Sequence, residues 1–358
     1  MRTQWRVGPA EGLDALLLLG AAAGDELQST YYGESITLVR GRMSADGVAA
    51  LDEIHATLAG AGRLVGPSLA LYFSAGPIES LEAVIRSAAD PVTYLREGLG
   101  ASPYWDPVRF DQVVALMPVV HRALVALRDI GFVDWYRSTQ LPEISASIER
   151  NLAAVSPYDL IPEQERLLGR PLDSGIELII TRFAQPYGIR ILGQRFVAYH
   201  GWKATTQLHV AAHEIFHPPF DLDDAELLRL LEPLREDPWL TSIVENHDPK
   251  FGYNSFMGVI NEGATQALDQ IVADRLGFAR DPGQRWRHAD GGMHLFAAAL
   301  YHAMREDGFA DAGGSFETWF LAGLRSGLLA PERVQEHAAA VVGEAAVARW
   351  RPDHVAAP

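Results

Sequence analysis

The chain has 358 residues, 48% hydrophobic and 21% charged, the balance of a soluble globular protein with a sizeable core and not of a disordered one. Its net charge of −16 argues against a nucleic-acid partner, which needs clustered Lys and Arg to neutralise phosphates. Cysteine is absent, which excludes disulfides, thiolate metal sites and Cys nucleophiles, so any metal must be held by His and carboxylate.

No stretch carries the ~18–20 uninterrupted apolar residues of a membrane span. Arg2 and Arg6 followed by the Ala- and Leu-rich residues 15–23 imitate a signal peptide. Glu11 and Asp14 directly precede that run, however, and Leu13, Leu16, Leu17 and Leu19 fall near helical spacing. This predicts a packed first helix over 10–30, ending near Gly24-Asp25. As it stands the chain reads as soluble and cytoplasmic, and as exported if a signal segment precedes it.

Ser44 is placed to cap a helix reaching Leu58. Residues 64–73 form a short apolar run that fits a helix or a strand equally. Residues 107–130 give the strongest helical pattern of this half, with Val108, Val113, Leu116, Val119, Val120, Leu124 and Leu127 as an apolar face and a kink expected at Pro118. Two more helices are predicted near 131–154 and 160–169. The first 170 residues thus read as helical and carry no catalytic constellation.

The composition changes at Pro171. The β-branched stretch 176–183 predicts a strand, 185–188 a turn, and 189–192 with 194–200 a second strand, making a hairpin-like pair. The chemistry follows at once, in His209-Val-Ala-Ala-His213-Glu214-Ile-Phe-His217-Pro218. On a helix capped by Thr205 or Thr206 and running over 207–217, His213 and His217 share one face and can aim both imidazoles at one ion. Glu214 lies one step round, where a carboxylate can take a proton from bound water. Pro218 and Pro219 stop the helix. A third ligand is needed, and Glu262, in a helical run over 254–277, supplies it. Glu245 is the rival.

His213-Glu214-x-x-His217 followed 45 residues later by Asn261-Glu262 resembles the gluzincin zinc metallopeptidases, of which the thermolysin-like enzymes are the best-known branch. The resemblance covers roughly residues 175–305. It implies Zn2+ held by His213, His217 and Glu262, with Glu214 as general base in peptide-bond hydrolysis. It further implies a sheet edge, here 196–200, that holds an extended peptide. Many gluzincins place an Asp four residues after the ligand Glu to orient a zinc histidine; here Gln266 stands there and Asp269 one turn on. His209, on the same face as His213, suits a supporting role, since a fourth ligand would close the open position. A donor to the developing oxyanion is sought among Tyr253, His294, Tyr301 and His302, with Tyr253 and Tyr301 preferred.

The expected protein is α+β and predominantly helical: a helical region over 1–170, a zinc-peptidase-like core over 171–310 with a small sheet beside the metal helix, and closing helices over 311–358. A peptide or protein is the expected substrate. Two other readings remain open, a zinc-stabilised peptide-binding protein without turnover and a zinc hydrolase of another amide or an ester.

Overall fold

A computed structural model describes residues 1–102 and 105–353, and the chain divides into two compact units. One holds residues 4–157 and 175–210; the other holds 1–3, 158–174 and 211–358. Residues 171–310 are therefore shared between them.

The first unit contains a four-stranded sheet of β1 (Gln4–Pro9), β2 (Gly175–Thr181), β3 (Ile189–Ile191) and β4 (Arg195–Tyr199), in the order β1-β2-β4-β3. β2 runs parallel to both β1 and β4, and β3 pairs antiparallel with β4. Inside the sheet, Ile176, Leu178, Ile179, Ile180 and Thr181 of β2 are all buried, the near-continuous run of a strand covered on both faces. The expected hairpin of 176–183 with 189–200 is corrected here. The second stretch breaks at Gly193, whose φ of +76° suits a tight turn, and its two halves form the hairpin. β4 has a neighbour on each side over residues 195–197, so this part of the expected peptide-binding edge is already paired.

Every residue of α1 (Glu11–Ala23) is buried. The stretch that imitates a signal peptide is a core helix, apolar all round, closed by Gly24 at φ +117°. Residues 64–73, ambiguous in sequence, form α2 (Val65–Phe73). It crosses α1 so closely that a Cβ on Gly20 would lie 2.4 Å from the Gly66 Cα. α3 (Pro107–Asp129) continues through Pro118 and packs its buried Val113, Leu116, Val120, Leu124 and Leu127 against neighbouring helices, while Val108 is exposed. α3 is the one described helix long and apolar enough to cross a membrane, yet half of its most apolar window is buried within the fold. α4 (Leu141–Val155) lies on β1.

Asp14 of α1 is completely buried, and its carboxyl accepts from the backbone N–H of Arg182 and Phe183 at 2.8–2.9 Å, where the chain leaves β2. Burial pushes its pKa up to about 7, against the pull of those two bonds.

The second unit is helical. It comprises α5 (Leu160–Leu168), the end of α6 (Ala204–Glu214), α7 (Phe256–Leu276), α8 (Pro282–His288), α9 (Leu295–Glu306), α10 (Pro331–Val342) and shorter helices. α7 starts at Ser255, whose hydroxyl accepts from Gly258 N, and stops at Gly277 with φ +77°. Its middle is buried from Glu262 to Ala273, and α9 packs directly on it. Gly263 permits this approach: a Cβ there would sit 2.9 Å from the Phe296 ring and 3.2 Å from Ala297 N.

Candidate metal centre

The helix expected over 207–217 is shorter than its pattern. α6 begins at Ala204, leaving Thr205 and Thr206 in its first turn instead of at the cap, and ends at Glu214. Phe216 N then donates to His213 O and His217 N to Glu214 O, i→i+3 bonds that tighten the final turn. Pro218 imposes this, because its ring disfavours helical φ/ψ at His217.

The tightened turn still brings the two imidazoles together, with rings 4.8 Å apart and Nε2 atoms 3.0 Å apart. Glu262 of α7 closes the cluster, its Oε1 3.5 Å from His213 Nε2 and its Oε2 3.4 Å from His217 Nε2. Tetrahedral zinc with bonds of about 2.0–2.1 Å requires donor separations of about 3.3–3.4 Å. The nitrogen–nitrogen distance of 3.0 Å and the nitrogen–oxygen distances of 3.4 and 3.5 Å, which end on different oxygens of Glu262, bracket that value, so the carboxylate faces the two imidazoles with both oxygens. Glu262 Oε2 is buried without a hydrogen bond of good geometry, an oxygen that calls for a cation.

α7 also fixes the tautomers. Asp269 Oδ2 lies 2.8 Å from His213 Nδ1, and Thr265 Oγ1 lies 3.2 Å from His217 Nδ1. With the protons assigned to both Nδ1 atoms, both Nε2 lone pairs face Glu262. Asn261 Nδ2 is 3.4 Å from the same His217 nitrogen, while its Oδ1 is buried without a partner; exchanging the two amide atoms gives His217 a second acceptor. Glu262, Thr265 and Asp269 are three and seven residues apart along one helix face. Ligand and both orienting groups therefore come from a single rigid element.

Asp269, and not the residue at position 266, is the α7 side chain that meets His213 Nδ1. Arg285 of α8 holds it from behind, donating through Nη1 to Oδ1 and through Nη2 to Oδ2 at 2.9 Å. Burial opposes ionisation of Asp269, but Arg285 and His213 outweigh it and lower its pKa. Gln266 donates to Glu262 Oε1 at 2.8 Å and accepts from Trp286 Nε1 at 2.9 Å, which fixes the ligand carboxylate in turn. Burial likewise works against charge on Glu262 and His213. Their mutual attraction prevails, holding Glu262 well below and His213 well above the ordinary values. The cluster stabilises positive charge between its ligands.

Glu214 is half-buried next to His213 in the chain. Tyr253 faces Glu262, and its hydroxyl is held protonated by burial and by the charges of Glu262, Asp290 and Glu214. Its backbone has φ +59°, and Asp290 is the other described non-glycine residue with positive φ. Both touch His294: Tyr253 meets it edge-on at 5.7 Å, and Asp290 Oδ2 lies 2.6 Å from its Nε2. Such strain persists only where the surroundings impose it.

The other expected donors are engaged elsewhere. Tyr301 donates to Asp274 and accepts from Arg305, both at 2.7 Å, and its ring lies against Trp286. His302 pairs with His337. Glu245 is exposed and, like His209, is outside the His213–His217–Glu262 group. Thr265, Arg285 and Trp286 are supporting residues that the sequence reading did not find. Thr265 had a legible signal in its spacing from Glu262, whereas Arg285 and Trp286 come from a later helix and had none. No protein-family model, curated protein or solved structure matches the chain.

Proposed function

We propose that the chain is a zinc-dependent hydrolase of the gluzincin kind that cleaves peptide bonds. The observation that carries this reading is the convergence of two imidazole nitrogens and one buried carboxylate within 3.0–3.5 Å, with both histidines oriented from α7. Three protein ligands, two of them imidazoles with side chains 18% exposed, favour an open catalytic centre over a closed structural one. Zinc held there would supply a Lewis acid to polarise a scissile carbonyl and acidify water.

The chain's own residues supply the rest. Glu214 takes a proton from the attacking water and passes it to the departing amine. The Tyr253 hydroxyl, protonated throughout the working pH range, donates to the carbonyl oxygen as it gains charge. Asp269 and Thr265 hold the Nδ1 side of each imidazole, so that Nε2 is the nitrogen presented to an ion.

Glu214→Gln tests the roles. It should retain the native zinc content and lose about 10²–10⁴-fold in peptide turnover, the usual contribution of a general base. Native turnover in this variant would overturn the mechanism. Cleavage of esters or other amides but of no peptide by the native chain would move the reading to another hydrolase.

A further inference from the structure

A second group of metal-ligating side chains lies away from the residues that build the first. His302 and Glu306 stand four apart on α9, hence on one face, and His337 comes from α10, which packs against it. His302 Nδ1 is 3.0 Å from His337 Nδ1, and Glu306 Oε2 lies 3.5 Å from His337 Nδ1 and 4.0 Å from His302 Nδ1. We propose that His302, Glu306 and His337 form a second site for a divalent transition metal.

The donor chemistry selects the ion. Two imidazoles with one carboxylate suit Zn2+, Co2+, Ni2+ or Cu2+, whereas Mg2+ and Ca2+ seek oxygen ligands. His337 is 2% exposed, and its Nε2 is buried without a hydrogen bond of good geometry. With the proton on that side, the Nδ1 lone pair points at His302 and Glu306. Two nitrogen lone pairs and a carboxylate this close repel one another unless a proton or a cation lies among them.

The observed separations can accommodate a cation once the carboxylate moves in. The 3.0 and 3.5 Å edges already suit bonds of about 2.0–2.1 Å. The longest edge involves Glu306, whose side chain is half exposed and can swing inward. His302 and Glu306 also line a cleft of about 620 Å³ with Arg287, Tyr301 and Arg305, which gives an ion a path from solvent. Glu306 also lies 3.7 Å from Arg333, so the ion competes with a guanidinium for this carboxylate. The second site should therefore lose its metal to a chelator before the first.

None of these residues belongs to the first cluster, so the proposal stands apart from the peptidase reading. The test is metal content after stripping the full-length chain with a chelator, re-equilibrating it with zinc chloride and removing unbound metal. Two ions per native chain are expected, with one lost in His302→Gln and one lost in His337→Gln. His302→Gln keeps a hydrogen-bonding group at a half-exposed position, so it serves if the buried His337 variant fails to fold. Glu262→Ala should lose the other ion alone. A single ion removed by His302→Gln but not by Glu262→Ala would support the second site and refute the first. Unchanged content in His302→Gln would make the pair a histidine–histidine hydrogen bond and overturn the proposal.

Discussion

Asp269 serves two partners, and exchanging it for Asn should separate them. In the native chain its carboxylate, 3% exposed, accepts from His213 Nδ1 and from both terminal nitrogens of Arg285. An Asn of the same shape offers one oxygen and no charge. Removing one partner of a buried ion pair costs about 3–5 kcal/mol, since the Arg285 side chain, 11% exposed, keeps an uncompensated charge. Losing the carboxylate behind a ligand histidine weakens metal binding about 10–100-fold, or about 1.4–2.8 kcal/mol. The first loss appears in denaturant unfolding of metal-free protein, the second in competition with a chromophoric chelator. Adding Arg285→Met to Asp269→Asn removes the stranded charge. It should return about 2 kcal/mol or more of stability while leaving zinc affinity low. Native zinc affinity in the single variant, or its recovery in the double variant, would refute the assigned role of Asp269.

Two other substitutions test the packing. The Asp14 carboxyl titrates near 7 in the fold against about 3.9 in an unfolded chain, so between these values the folded state binds more protons. Its contribution to stability should be greatest below about pH 4, fall as the pH rises to about 7, and then level off, a loss of about 4 kcal/mol in all. Asp14→Asn can still accept from Arg182 and Phe183 and should flatten that segment of a melting-temperature profile; parallel native and variant profiles would contradict this. Gly263→Ala places a methyl group against Phe296 and Ala297 N. Overpacking of this kind costs about 1–3 kcal/mol and should weaken zinc binding by shifting Glu262, and a variant with native melting and zinc content would show that α9 yields freely.

The ligand motif was legible because its chemistry is local. His213, Glu214 and His217 are set by their spacing at the end of α6 and in the turn that follows it, and the apolar pattern of α7 located Glu262. The early end of α6 was also latent in Pro218, but the His-x-x-x-His spacing suggested a longer helix. β1 was harder to read: Gln-Trp-Arg-Val-Gly-Pro alternates polar and apolar residues too briefly, and only pairing with β2 makes it a strand. The pairing of β4 was hidden for a related reason. Residues 189–200 show strand propensity throughout, but propensity does not say that β4 joins β2 in parallel. Arg285 was invisible because nothing near Asp269 in the chain announces a cation 16 residues away. Long-range charge pairing is decided by tertiary packing. For the same reason Tyr301 looked as suitable as Tyr253 until its hydroxyl was found between Asp274 and Arg305.

The central claim is that His213, His217 and Glu262 hold one zinc ion. The most direct measurement is zinc affinity and content of the native chain beside Glu262→Ala, with His302→Gln in both so that the second cluster adds nothing. About one ion per chain, falling sharply without the Glu262 carboxylate, is the predicted result. Equal zinc in both proteins would place the third ligand elsewhere, and no zinc in either would reduce the cluster to two histidines hydrogen-bonded beside a buried carboxylate.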